Sequence, residues 1–264
     1  MKLHFLSYPE STDLAQFSDT TPLLIVPGLF GSTTNWRSFA RRLAETRPVI
    51  VIDQRNHGQS PHASSQSYAD MVQDLLEFCD QHALPKIDLC GHSMGGKVAM
   101  LFTLDHPQRV NKLVVLDIAP IDYQHNHAPF LKKLMQLDLQ SLKSRNQADF
   151  ALREAIPDTA TRLFLLQSLR GSPGAYHWNL NLSVLHDCMV EITGFPQTDR
   201  VAFNKALFVA GALSNYLLDE HRDKIRQLFP NASFATVAEA GHWLHAEQAD
   251  RVLKTLINFI QYDK

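Results

Sequence analysis

A chain of 264 residues is long enough to bury a full hydrophobic core, as one α/β domain or as two small ones. Its 25 Lys plus Arg against 27 Asp plus Glu leave a net charge of −2 without any run of five like charges, which argues against nucleic acid or an anionic membrane as partner. The opening MKLHFLSYPESTDL lacks the uninterrupted apolar stretch of a signal peptide, and no later segment is apolar over the thickness of a bilayer, so a cytoplasmic enzyme or binding protein with no membrane span is expected.

Along the chain, short β-type runs alternate with longer amphipathic stretches, the pattern of an α/β fold with a mostly parallel central sheet flanked by helices. Residues 23–26, 49–52, 86–90 and 113–116 are apolar almost throughout and read as buried central strands. Between them, 68–79 sets Tyr68, Met71, Val72, Leu75, Leu76 and Cys79 on one helical face, with Ser67 as the cap. Cys79, Cys90 and Cys188 are odd in number and lack metal-ligand spacing, so they are expected to be thiols, and no metal or cofactor is called for.

After Pro120 the alternation stops. No strand is evident to about Cys188; helical pieces at 130–142, 147–155 and 159–169 are separated by Pro157, Gly171, Pro173 and Gly174. The sheet resumes at 206–209 and 233–237, before a last helix carrying Val252, Leu253, Leu256, Ile257 and Ile260. The expected organisation is therefore a core of residues 1–119 and 189–264 with a helical cap or lid inserted at 120–188. Oligomeric state leaves no mark on the composition.

The stretch Gly91-His92-Ser93-Met94-Gly95 lies between a strand and the helical stretch 97–104. A sharp strand-to-helix turn needs little bulk on either side of its central residue, and glycines two before and two after Ser93 meet that need. Ser93 could simply cap a helix; the flanking elements favour a nucleophile. An oxyanion formed there would meet the Met94 backbone N–H and, from the loop Pro27-Gly28-Leu29-Phe30-Gly31-Ser32, the Leu29 N–H.

A serine hydroxyl needs a base to take its proton. Of 13 histidines, His242 stands in Glu239-Ala240-Gly241-His242-Trp243, just past the last strand, where a loop can return over the sheet edge. His245 is expected one turn into the final helix, facing solvent, and His92 is expected to pack. For the acid, a carboxylate would be sought after the next-to-last strand, but that stretch reads Gly211-Ala212-Leu213-Ser214. Asp117 ends the strand that follows the serine's helix, 24 residues on from Ser93, and is preferred to Asp219. Ser214 would then face it as an auxiliary hydroxyl. The polar stretch Asp53 to Ser60 is expected to brace loops, since it contains neither a P-loop nor a dinucleotide fingerprint.

With PGLFGS at 27–32, DQRNHGQS at 53–60, GHSMGG at 91–96, LDIAP at 116–120 and AGHWLHAE at 240–247, the chain resembles the α/β-hydrolase superfamily nearly end to end, in particular the YbfF-type bacterial esterases. The resemblance implies a catalytic set of Ser93, Asp117, His242 and Ser214, acting on a small-molecule acyl ester or thioester. One departure is Pro27, where that family usually carries a histidine that braces the loop. A serine nucleophile disfavours the dehalogenase and epoxide-hydrolase chemistry of the same fold, because an alkylated serine is an ether that water does not readily release. Apolar residues for an acyl group are offered by Phe30, Phe130, Tyr176, Trp178 and Trp243, many of which must also pack core. A C–C bond hydrolase or lyase, and a non-catalytic ligand-binding member, are the alternatives.

Overall fold

The apolar runs become strands because each is buried on both sides, its side chains alternating between two cores. In the computed structural model, which describes residues 1–124 and 127–261, the strands are β1 (Phe5–Tyr8), β2 (Leu23–Val26), β3 (Val49–Ile52), β4 (Ile87–His92), β5 (Val110–Leu116), β6 (Leu169–Arg170), β7 (His177–Trp178), β8 (Lys205–Gly211) and β9 (Ala232–Val237). The helices are α1 (Thr33–Leu43), α2 (Tyr68–Gln81), α3 (Met94–Asp105), α4 (Ala128–Met135), α5 (Arg145–Leu152), α6 (Thr159–Leu166), α7 (Leu182–Asp187), α8 (Met189–Thr193), α9 (Arg222–Leu228), α10 (Leu244–Glu247) and α11 (Ala249–Gln261).

Seven strands form one sheet in the order β1-β3-β2-β4-β5-β8-β9. Only β1 runs antiparallel, against β3. Leu24, Val26, Ile50, Leu89, Val115 and Phe208 face one core, shared with Met71 and Leu75 of α2, Phe102 of α3 and Ile225 of α9. Leu23, Ile25, Val51, Cys90, Val114 and Val209 face the other, filled by Trp36 and Phe39 of α1 and by Val252 and Leu256 of α11. Burial on both faces of a period-two strand is what makes the sequence read as unbroken apolar runs.

The pairings Val26↔Gly91, His92↔Leu116, Leu116↔Val209 and Gly211↔Val237 bring the carboxyl ends of β2, β4, β5, β8 and β9 to a common edge. The chain leaves β2 toward β3 on one side and leaves β4 toward β5 on the other. That reversal opens a crevice at the strand tips, where ligands of such sheets bind. The loops after β2 and β4 flank it.

Three expectations need correction. β1 has no counterpart among the expected strands, because four residues at an antiparallel edge carry too short a pattern. The stretch expected to lack strands holds the β6–β7 hairpin, whose pairing is only Leu169↔Trp178 and Arg170↔His177. The helix expected at 130–142 ends at Met135; beyond it the Asp138 carboxylate accepts the Gln140 amide at 3.2 Å, a local turn that competes with helix. The Ser67 cap forms, its Oγ accepting the Asp70 amide at 3.1 Å. Cys79 and Cys90 are buried free thiols, and Cys188 is a half-buried one.

Between β5 and β8 the helices contribute Leu131, Leu134, Leu152 and Leu165 to the core on the α2–α3 side. Their segment also reaches the crevice side of the sheet. Arg170 Nη2 donates to Thr34 Oγ1 at 3.0 Å, the Asn181 amide to the Asn56 carbonyl at 3.0 Å, and the rings of Phe164 and Trp243 lie 5.2 Å apart. Among the described residues, no helix is long and apolar enough to cross a membrane.

Candidate active site

Ser93 sits between β4 and α3 with φ 53° and ψ −124°, a backbone region that an L-residue occupies only under strain. The surroundings hold it there. The Ser93 amide donates to the Leu116 carbonyl at 3.1 Å, while the Gly96 and Lys97 amides donate back to the Ser93 carbonyl at 2.8 and 3.1 Å. Side chains at Gly91 and Gly95 would run into backbone, the first into residues 95 and 96 and the second into the carbonyls of Val26 and Pro27. Close approach of the β2 loop also demands Gly28, where a Cβ would stand 2.9 Å from that of Ser93.

His242, on the loop between β9 and α10, completes the contact. Its Nε2 lies 2.9 Å from Ser93 Oγ, and its Nδ1 lies 2.8 Å from Asp117 Oδ2. Because a carboxylate only accepts, Nδ1 carries the proton and Nε2 is left to accept from the serine. Asp117 follows β5 at φ 52° and is fully buried. The Gly211 amide donates to its Oδ1 at 2.9 Å, and the Ser214 hydroxyl donates to the same Oδ2 that faces His242. Burial pushes the Asp117 carboxyl up to about 6; the Ser214 hydroxyl and the Gly211 amide oppose that rise. Asp219 stands away from this set, with an 87% exposed side chain paired with Arg222 at 2.7 Å.

Three neighbours fix the histidine. Tyr216 stacks on its imidazole with ring centroids 3.7 Å apart. Glu247 accepts the Gly241 amide at 2.6 Å and the Trp243 amide at 3.3 Å, gripping the loop on both sides of His242. His92 is buried, as expected of a packing residue, and its Nε2 donates to the His242 carbonyl at 2.8 Å; burial pushes its imidazole down to about 3, so it stays neutral. His245 differs from expectation: it is buried and stacked on Trp36 at 4.0 Å, not turned to solvent. Its stretch is the four-residue α10, packed under α1, so the outward face of the last helix was the wrong frame for it.

Among the described residues, neither the Leu29 nor the Met94 amide donates to a protein acceptor, which leaves both available at the crevice. Gln54 braces this loop, its Nε2 donating to the Pro27 carbonyl at 2.7 Å. Other residues of that polar stretch also bond neighbouring elements. Asp53 accepts the Thr33 and Gln59 amides at 2.6 and 2.9 Å, and Arg55 pairs with Asp74 at 2.7 Å. Trp243 lies beside His242, and Phe30 follows Leu29 at φ 65°. Phe130 is half-buried with its ring 6.0 Å from that of His127, which is 6.3 Å from Phe30. Tyr176 is buried in the core and Trp178 packs half-buried against it. Gln54 lies in the stretch expected to brace loops, whereas Tyr216 and Glu247 have no place in the sequence reading; the signal for Glu247 is a carboxylate ending the helical turn that follows the Gly241 loop. No group of three or more His, Cys, Asp or Glu side chains among the described residues is placed to hold a metal ion.

The chain is similar to known proteins over most of its length. The chain is 36% identical over 251 residues to the zebrafish (Danio rerio) sn-1-specific diacylglycerol lipase ABHD11, covering 92% of this chain and 79% of that protein. It is 35% identical over 246 residues to esterase YbfF of Escherichia coli K12, covering 92% and 94%. A solved marine microorganism esterase superposes with a TM-score of 0.91 at 36% identity, covering 98% of this chain and 99% of the other. With residues 21–249 matching the alpha/beta hydrolase fold family, and relatives that are named esterases and lipases, the chain belongs to that family.

Proposed function

We propose that this protein is a serine hydrolase of carboxylic esters, with Ser93 as nucleophile, His242 as base and Asp117 as the orienting acid. The observation that carries the reading is the continuous relay from Ser93 Oγ to His242 Nε2 at 2.9 Å and from His242 Nδ1 to Asp117 Oδ2 at 2.8 Å. His242 takes the hydroxyl proton as Oγ attacks the acyl carbonyl. The negative charge moves to the carbonyl oxygen, where the Leu29 and Met94 amides receive it; one such donor contributes roughly 3 kcal/mol to the barrier reduction. Asp117 stabilises the imidazolium, which protonates the departing alcohol. Water then enters, His242 removes its proton, and the acyl-enzyme is hydrolysed. Ser214 steadies the carboxylate.

Short to medium acyl esters are the substrates, with acyl-CoA thioesters next, since both pass through the same acyl-enzyme. The segment from Pro120 to Cys188 serves as a cap over the crevice, a role supported by the contacts of Phe164 with Trp243 and of Arg170 with Thr34. Hydrolysis of p-nitrophenyl acetate, butyrate, octanoate and palmitate by wild type and Ser93→Ala tests the reading. Turnover confined to wild type supports it, and the chain-length optimum sizes the acyl site. A folded wild type inert on every ester and thioester would overturn it in favour of C–C bond cleavage or ligand binding.

A further inference from the structure

Lys97 lies one turn along α3 from Ser93, in a helix whose other residues from Met94 to Leu104 are uncharged. It is 1% exposed. An ammonium taken out of water is costly, whereas a methionine of similar length would fill the same space without that cost. Packing alone therefore does not account for a lysine here.

Its partners do. Nζ donates to the carbonyls of Ile121 at 2.9 Å, Thr193 at 2.7 Å and Gly194 at 2.6 Å, three acceptors for three donors, and it lies 4.8 Å from the centre of the Tyr123 ring. Burial pushes its pKa down and Asp122 opposes that fall. The carbonyls come from two separate stretches of chain. Ile121 lies where the chain leaves the sheet after Asp117, and Thr193 and Gly194 lie where it comes back toward β8. The two stretches also bond each other, the Tyr123 amide to the Thr193 carbonyl at 3.0 Å and the Phe195 amide to Asp122 Oδ1 at 2.7 Å. The Thr193 carbonyl thus accepts from a backbone amide as well, whereas those of Ile121 and Gly194, outside any sheet ladder, take the Lys97 ammonium as donor.

We infer that Lys97 is a positioning residue: its ammonium pins the stretch at Ile121, where the inserted segment begins, and the stretch at Thr193 and Gly194, just past its end, to the nucleophile's own helix and thereby sets acyl-chain selectivity at Ser93. The inference rests on the reading of Ser93 as an esterase nucleophile. The Lys97 amide donates to the Ser93 carbonyl, so the segment's two attachment points are referenced directly to the nucleophile turn. Between those points the segment carries Phe164 to Trp243, beside the base. A shift of the ends moves the apolar wall against which a long acyl chain lies, and leaves the reacting atoms in place.

Lys97→Met keeps the packing and removes the donors. Hydrogen exchange of the Tyr123 and Phe195 amides is expected to quicken by about tenfold or more, as local opening no longer breaks three further bonds. KM for p-nitrophenyl octanoate should rise roughly fivefold while kcat on the acetate stays within about twofold, the split expected when binding and not chemistry is lost. Unchanged exchange, or equal changes in KM for both esters, would overturn the inference. Failure of wild type on every ester would remove the reading of Ser93 and the selectivity role together, whereas unchanged exchange would remove the pin alone. If Lys97→Met does not fold, Asp122→Ala, which frees the Phe195 amide, should speed exchange at 193–195 and raise the octanoate KM less strongly; no change in that variant would equally refute the pin.

Discussion

The ring of Tyr216 lies nearly parallel to the imidazole of His242, with centroids 3.7 Å apart and planes 18° from one another. Its amide donates to Ser214 Oγ at 3.2 Å and its carbonyl accepts from Tyr123 OH, so the ring is held from both sides. In the proposed reaction, a π face at this position would orient the imidazole and favour its cationic form during attack. Replacing the ring in Tyr216→Leu should lower kcat about 5- to 20-fold, in keeping with roughly 1–2 kcal/mol for a desolvated cation–π contact. Tyr216→Phe, which keeps a ring there, should restore kcat. Equal kcat in all three proteins would show that the stack only packs.

The buried carboxyl of Asp117 makes activity and stability respond to acid in opposite directions. With its pKa raised to about 6 from 3.8, the carboxylate proposed to orient His242 gains a proton as pH falls through about 6, and kcat/KM should fall with it. The folded chain holds that proton more tightly than the unfolded chain, so this group's cost to the fold, present in full above about 6, is relieved between about 6 and 3.8. Ser214→Ala removes a hydroxyl that favours the charged form. Its acid limb should move to higher pH, with kcat lower by roughly tenfold, as for a hydrogen bond to a charged group. A limb that stays in place would deny Ser214 any hold on the carboxylate.

Asp117→Asn presents His242 with a carboxamide, which can favour the wrong tautomer and cannot balance the imidazolium. A loss of roughly 10⁴-fold in kcat is expected. Asp219→Asn touches only an exposed pair with Arg222 and should leave kcat near wild type. Comparable losses in the two variants would mean that the acid has been misplaced.

Two glycines differ in what an added methyl group would meet. At Gly95 it would enter the carbonyls of Val26 and Pro27, so Gly95→Ala should cost more than about 3 kcal/mol in urea unfolding, through strain in a closed turn. At Gly174 the space is open and only φ +77° opposes a side chain, so Gly174→Ala should cost about 1 kcal/mol. Equal midpoints would show that the nucleophile turn relaxes where the crowding says it cannot.

The central strands, the Ser67 cap, the glycine-flanked turn at Ser93 and the placing of Asp117 and His242 at strand tips could all be read from the sequence. Each depends on local physics: apolar runs buried on both faces, turns that exclude a Cβ, and residues that directly follow a strand in a parallel sheet and so reach its carboxyl edge. The tertiary structure alone decided what surrounds them. Tyr216 reaches His242 because the loop after β8 folds back across the edge, His245 is buried because α10 lies against Trp36, and Gln54 bonds the Pro27 carbonyl 27 residues away. The partners of Lys97 are a further case, since its three carbonyls come from chain stretches 24, 96 and 97 residues distant. Period and turn chemistry act over a few residues, so they specify where a side chain is presented; what it meets there depends on the paths of loops far away in the chain, whose contacts leave no periodic trace in either partner.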